Sequence, residues 1–423
     1  MVPNGWKEVK LGDVISHQKG FAFKSEHYCD EGKRIIRISD TDRNSIHDKS
    51  PVYINDDNSA GLERYALSAG DIILSTVGSR PHLLDSMVGK AVQIPPKDEG
   101  ALLNQNLVKI SPKKKLITNN YLFSMLKKNK FNFFISTLVR GNANQVSITL
   151  NELFSYKFLL PTYDEQQKIA QILSTWDKAI ATTEKLIATS QQQKKALMQQ
   201  LLTGKKRLVN PDTGKVFEGN WEEVKLSKVC SRLMEKNNGQ SDNVVTISAQ
   251  HGLIRQEEFF KKSVASETLD NYFILRKGQF AYNKSYSNGY PMGAIKRLNR
   301  YEDAIVTSLY ICFEIKNHKN TSSCFLEQYF ESGLLNRGLT KVAAEGGRAH
   351  GLLNVKPADF MALSLHIPVF KEQQKIASVL IAADKEIELL QAKLAHLKDE
   401  KKALMQQLLT GKRRVKVDEN VAA

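Results

Sequence analysis

The chain has 423 residues, room for about two to four domains that each bury a core. Hydrophobic residues at 41% and charged residues at 25% are ordinary globular proportions and exclude a disordered chain. The formal net charge of +16 is the unusual number. It favours a polyanion, because each phosphate neutralised by Lys or Arg releases condensed counterions; an anionic membrane surface, an acidic partner or plain solubility are the alternatives.

The opening segment, MVPNGWKEVKLGDV, has no apolar h-region, and no run approaches ~18 apolar residues, so a cytoplasmic protein without membrane association is expected. Trp6-Lys7-Glu8-Val9-Lys10-Leu11 begins the first half. Short β-type runs follow at Arg34 to Ser39 and Asp71 to Val77, then a helical run near Tyr121 to Leu126. Pro161 then precedes a block beginning Glu165-Gln166-Gln167-Lys168-Ile169-Ala170 and ending in Lys194 through Lys205, KKALMQQLLTGK. After a polar stretch the series starts again. Trp221-Glu222-Glu223-Val224-Lys225-Leu226 matches the first opening, with β-type runs at Val244 to Ile247 and Leu309 to Ile315 and a helix near Cys324 to Glu331. Pro368, Glu372-Gln373-Gln374-Lys375-Ile376-Ala377 and an identical KKALMQQLLTGK at Lys401 through Lys412 complete the second copy. The chain is a tandem duplication of one unit, a globular segment followed by a long helix.

Both repeated blocks read as helices by their period. The first has apolar residues at Ile169, Leu173, Trp176, Ile180, Ile187, Leu197 and Leu201; the second has Ile376, Leu380, Ile387, Leu390, Leu394, Leu397, Leu404 and Leu408. Alternating three–four spacing over such a length predicts a coiled-coil seam, interrupted at matching positions by Lys194 and Lys401. Leu-Thr-Gly closes each helix with glycine at the cap. Unequal polar interruptions, Thr183 and Ser190 in one seam, favour antiparallel pairing within the chain over a symmetric homodimer. The globular segments, 12–155 and 227–362, diverge almost completely within the same landmarks. The expected class is α+β: two mixed α/β domains separated and joined by two long antiparallel coiled-coil helices, a pseudo-twofold tandem repeat. The expected boundaries are 1–160, helix 161–208, linker 209–220, 221–367, helix 368–415 and a disordered tail 416–423.

Motifs for catalysis are missing or explained away. Cys29, Cys230, Cys312 and Cys324 form no C-x-x-C pair and read as free thiols in a reducing compartment. The histidines have no H-x-x-x-H spacing, so no metal site is expected. Pro211-Asp212 followed by Glu223-Val224-Lys225 imitates a metal-dependent nuclease. Glu8-Val9-Lys10 repeats the triplet without an upstream Pro-Asp, which assigns it to a domain-opening strand. Ile94-Pro95-Pro96-Lys97 lacks both flanks of the motif with which adenine methyltransferases hold a flipped base. There is no G-x-x-x-x-G-K-[ST] loop.

The duplicated EQQKIA-x-x-L-x-x-x-D-x-x-I pattern, with Asp177 and Asp384, followed by KKALMQQLLTGK and preceded by W-x-E-V-K-L openings, resembles the specificity subunits of type I restriction–modification systems. The resemblance covers the whole chain in the family's order. It implies a non-catalytic, sequence-specific DNA-binding subunit in which each target-recognition domain reads half of a split, asymmetric site in double-stranded DNA. The helices would set the gap and dock two modification (methyltransferase) subunits, which methylate adenine; restriction (motor–nuclease) subunits would join for cleavage. The chain itself would need no cofactor, since S-adenosylmethionine, ATP and Mg belong to those partners. The alternative from another class is a basic coiled-coil assembly protein with no sequence preference.

Base-edge recognition uses Arg, Lys, Asn, Gln and hydroxyls carried on loops over a rigid scaffold. Two Gly-punctuated loops in each half fit. In the first they supply Ser79, Arg80 and His82, then Arg140, Asn142, Asn144 and Gln145. In the second they supply Lys284, Ser285, Tyr286 and Asn288, then Arg348 and His350. The clusters Lys205-Lys206-Arg207 and Lys412-Arg413-Arg414 suit either phosphate or the negative end of a helix.

Overall fold

The structure is a computed structural model that describes residues 2–80, 82–83, 86–141, 146–248, 250–260, 269–343 and 353–417. Its contacts divide the chain into two units, Met1–Glu184 with Lys393–Ala423, and Lys185–Ala392. Each unit combines one recognition segment with the start of the long helix that follows it and the end of the other long helix. The two helices, Tyr163–Leu201 and Phe370–Leu408, have 39 residues each, about 58 Å at 1.5 Å per residue.

In the first unit, Ile15–Lys19, Leu107–Pro112, Ile72–Ser75 and Ala91–Gln93 form a four-stranded antiparallel sheet in that order. Ile72 to Ser75 is its wholly buried strand, as an uninterrupted apolar run demands. A three-stranded sheet, Val52–Ile54, Lys33–Ile36 and Leu102–Leu103, lies in the same unit. The expected strand Arg34 to Ser39 is shorter than its apolar pattern suggested, because Asp40 draws Ile38–Asp40 into a 3-10 turn by accepting from the Arg37 backbone N–H at 2.8 Å. Asp71 to Val77 likewise splits into Ile72–Ser75 and Val77–Gly78.

The second unit repeats the ground plan with Cys230–Leu233, Ile311–Ile315, Phe280–Asn283 and Ala294–Arg297 in one sheet. Leu309, expected to open a strand, is instead 57% exposed before it. The W-x-E-V-K-L openings are strands paired antiparallel with segments that directly precede the long helices: Lys7–Lys10 with Lys157–Leu160, and Glu222–Lys225 with Ser364–Ile367. That pairing delivers each chain to its Pro and into its helix.

The repeated Glu-Gln-Gln has a concrete task at each helix start. Gln166, 1% exposed, accepts from the Thr118 backbone N–H at 2.9 Å and donates to the Pro161 carbonyl at 3.1 Å. Gln373 does the same with Ser322 (2.9 Å) and Pro368 (2.9 Å). Thr118 and Ser322 in turn cap the domain helices Asn119–Leu126 and Ser323–Glu331. The preceding glutamates are buried and each takes an arginine from beyond the Leu-Thr-Gly of the other copy. Glu165 accepts from Arg414 at 2.7 Å and from the Trp6 indole at 2.9 Å; Glu372 accepts Arg207 bidentately at 2.6 and 2.8 Å. Burial by itself would raise Glu165, but the Arg414 and Trp6 bonds outweigh it and hold the carboxyl below its usual range. Gly204 and Gly411 close the helices at φ +69° and +70°, the left-handed cap that lets the chain turn back.

Within each unit the helices run antiparallel. In the first, Ile169, Leu173 and Leu408 share a core with the recognition segment, and Lys401 pairs with Asp177 and Lys398 with Glu184, the latter at 2.7 Å. In the second, Leu201, Ile376 and Leu380 join the core, and Lys194 pairs with Asp384 at 2.5 Å. Ile187 and Ile387 are also buried, while Trp176, Ile180, Leu197, Leu390, Leu394, Leu397 and Leu404 are half-buried. Thr183, 4% exposed, satisfies its hydroxyl on the Ala179 carbonyl at 2.8 Å.

Candidate nucleic-acid interface

In the first unit the strand register gathers several loops at one end of the four-stranded sheet. Lys19 lies opposite Val108, Ser75 opposite Leu107 and Leu74 opposite Ala91. The turns after Lys19, after Ser75 and before Leu107 therefore leave together. Both loops chosen from the sequence meet here. Val77 and Gly78 form a short ladder with Ser147 and Val146, and the Ile148 backbone N–H donates to the Thr76 carbonyl at 3.1 Å. Ser79 is held in the turn by its backbone, donating to the Ser86 carbonyl at 2.8 Å, and by its hydroxyl, 2.6 Å from that of Ser86. Arg80 and His82 are exposed. Arg140 is exposed too, but its guanidinium is engaged by Glu152, so part of its charge is already answered within the domain. Asn142, Asn144 and Gln145 lie outside the described residues.

Gly78 makes this crossing possible. A β-carbon there would sit 2.7 Å from the Ser86 carbonyl oxygen and 2.7 Å from the Val88 nitrogen, both backbone atoms that cannot turn aside.

The second unit brings its loops together at the equivalent place. Phe280–Asn283 occupies the same sheet position as Ile72–Ser75, third in strand order. The residue after it, Lys284, accepts from the Leu353 backbone N–H at 3.0 Å, as Thr76 accepts from Ile148. Arg348 and His350, in the segment entering Leu353, lie outside the described residues. The turn between the two sheet strands is built internally. Asn283 accepts from the Ser285 N–H at 3.0 Å, the Tyr290 N–H donates to the Ser287 carbonyl at 2.8 Å, and Tyr286 (64% exposed) and Asn288 face solvent. Its far end rests on a half-buried network: Tyr290 donates to Glu331 at 2.6 Å, and Lys296 donates to Glu331 at 2.5 Å and to the Tyr290 oxygen at 3.1 Å. Burial, then the Glu331 charge, raises the Tyr290 phenol far above its ordinary value, so it stays a donor.

Sequence reasoning passed over other features of these faces. Gln105 is exposed beside the Ser75 turn and donates its backbone N–H to the Phe21 carbonyl at 2.8 Å; its signal was a polar Asn-Gln-Asn between two apolar strands. Gln250 and His251 turn the hairpin Val245–Ser248 and Gly252–Arg255 over an open cleft of about 510 Å³, lined also by Ile254, Glu258, Arg300 and Glu388. Arg300 is held by Glu258 at 2.8 Å, and with two carboxylates the cleft is not a polyanion surface.

Arg207 and Arg414 are committed to Glu372 and Glu165, carboxylates near the start of the other long helix, rather than to the negative end of their own helix. All four cysteines are free thiols, and burial pushes Cys230 and Cys312 up to about 12, out of the range of a nucleophile. Among the described residues, no group of three or more His, Cys, Asp or Glu side chains is placed to hold a metal ion, and no helix is long and apolar enough to cross a membrane.

A family model for the type I restriction modification DNA specificity domain matches residues 3–190 and again 218–399. The chain belongs to that family. Among its relatives is the putative type I restriction enzyme MjaX specificity subunit of Methanocaldococcus jannaschii, 26% identical over 98% of this chain and 95% of the relative. A type I restriction–modification S subunit from M. genitalium shares the fold with a TM-score of 0.57 at 13% identity, covering 96% of both chains. A chain from work on complex assembly and conformational transition of the type I R-M system does so with a TM-score of 0.53 at 17% identity, covering 98% of this chain and all of that one. This specificity subunit thus carries two copies of the DNA specificity domain in tandem and is the sequence-reading, non-catalytic member of its system. Membership also disfavours the sequence-indifferent coiled-coil reading.

Proposed function

We propose that each recognition domain reads one half of a bipartite, asymmetric duplex site through the paired loops at its sheet end, and that the helix pair sets the gap. The observation that carries this is the equivalence of the two loop crossings, Thr76 with Ile148 and Lys284 with Leu353, on unrelated local sequences. A constant frame with divergent polar tips is what independent half-site reading requires. Ser79, Arg80, His82 and Arg140 would serve the first half, and Lys284, Ser285, Tyr286 and Asn288 the second. Asn142, Asn144 and Gln145, then Arg348 and His350, outside the described residues, belong to the same stretches of sequence and are proposed with them. Arg suits guanine O6 and N7 or phosphate, and amides suit adenine edges.

In this reading the subunit works in the cytoplasm, inside a complex with two modification subunits and with restriction subunits. S-adenosylmethionine, ATP and Mg are bound by those partners, and no cofactor by this chain. The test is an adenine-methylation map of cells expressing the modification subunit with the chain, without it, and with residues 12–155 replaced by those of a relative. A split motif that appears only with the chain, and changes in one half only on replacement, is expected. Methylation indifferent to the chain, or a replacement that alters both halves, refutes the reading.

A further inference from the structure

We infer that the reciprocal ion pairs across the helices, rather than their apolar seam, select the antiparallel register and with it the gap; the second step rests on the bipartite reading above. A seam of Leu and Ile tolerates sliding by a heptad, because each heptad offers the same kind of side chain. The charges do not. Lys401 meets Asp177 in the first unit, and Lys194 meets Asp384 in the second. These are the two lysines that interrupt the seam, with side chains only 21% and 17% exposed. The buried carboxylates of Glu165 and Glu372 add the Arg414 and Arg207 pairs on the same alignment.

Sliding one helix by seven residues in one direction sets Lys401 against Ala170 and Lys194 against Ala377. In the other direction Lys401 gains Glu184, but Lys194 faces Gln391. Either slide also separates both arginines from their glutamates. A half-buried ammonium or carboxylate without its partner is strongly disfavoured, whereas replacing such a pair by well-packed apolar residues is often neutral or stabilising. The retained lysines therefore make sense as register devices, the best-attested use of polar groups in such seams. One heptad of slide is about 10.5 Å along the axis, which corresponds to about three base pairs of duplex.

The test uses the full-length chain with its modification subunits and duplexes whose half-sites are separated by the native gap or by gaps up to about three base pairs shorter or longer. In a variant with both pairs replaced, Lys194→Leu with Asp384→Leu and Lys401→Leu with Asp177→Leu, the melting temperature is expected to hold or rise. Preference for the native gap should fall about tenfold, equivalent to about 1.4 kcal/mol. Asp177→Lys and Lys401→Asp singly should lose gap preference, and the combined swap should restore it. A leucine variant that keeps the wild-type preference, one that loses its melting transition, or a swap that restores nothing overturns the inference. A wild-type complex that shows no gapped site at all refutes the bipartite reading instead.

Discussion

The two recognition domains hold the same loop crossing by different means. The first uses backbone: a short ladder from Val77 and Gly78 to Val146 and Ser147, with a glycine where a side chain would strike Ser86 and Val88. The second makes its crossing with the Leu353 N–H to Lys284 carbonyl bond and braces the adjoining turn with side chains, Lys296, Glu331 and Tyr290 in a half-buried network. Conservation of the place without conservation of the fastening separates two jobs. The sheet and its strand order decide where the loops emerge, and local chemistry decides how stiffly each is held. A reader whose halves specialise separately benefits, because refastening one loop leaves the other domain's core untouched.

The largest expected effect breaks the second fastening alone. Lys296→Ala leaves Glu331 half-buried with only Tyr290 as partner, and the loss of one member of such a pair should cost about 3 kcal/mol in unfolding free energy. Binding should fail at the second half-site and survive at the first, as measured by urea unfolding and by duplexes altered in one half. Loss at the first half-site would show that the domains are not independent.

Gly78→Ala is the mirror experiment. Its β-carbon meets fixed backbone at 2.7 Å, so relief requires the ladder to open, at about 2 kcal/mol. Here the first half-site should weaken while the second persists. An unaltered first half-site would mean that the crossing does not position the reading loop.

The smallest effect separates the units by pH. Burial, then the Arg43 and Lys401 charges, pushes Lys127 down to about 8, whereas its value in the unfolded chain is about 10.4. Between those values the unfolded chain holds more protons than the native one, so stability rises with pH. From pH 8 to 9 the rise from Lys127 should be about 1 kcal/mol. Lys127→Met should reduce it. In the second unit the raised groups carry the opposite sign, the Cys230 and Cys312 thiols from about pH 8.5 and the Tyr282 and Tyr290 phenols from about pH 10, so the difference between wild type and variant, not the total change, isolates Lys127. Denaturant midpoints at pH 8 and 9 check this; an equal rise in the variant would remove Lys127 as its source.

Much of this architecture was legible because it is written twice. The repeats, the heptads from Ile169 to Leu201 and from Ile376 to Leu408, the Pro before each helix and the Gly after it are local, periodic signals. They determined two long helices and two mixed domains without reference to any long-range contact. Strand ends were less secure: the pull of Asp40 on the Arg37 backbone is a side-chain effect that apolar pattern does not register.

Only the tertiary structure decided which charges belong together. Lys401 with Asp177, Arg414 with Glu165 and Arg207 with Glu372 are separated by more than 160 residues each, and no local period links them. The same holds for the loops. The segments Ser75 to His82 and Arg140 to Gln145 stand out as polar and Gly-punctuated, but the meeting of their flanks through Gly78 and Val146 depends on which strands neighbour one another in the sheet. Composition along a chain can name residues suited to DNA. Bringing two distant loops onto one face requires the folded backbone, because hydrogen-bond partners in a sheet are set by register between segments and not by the sequence of either one.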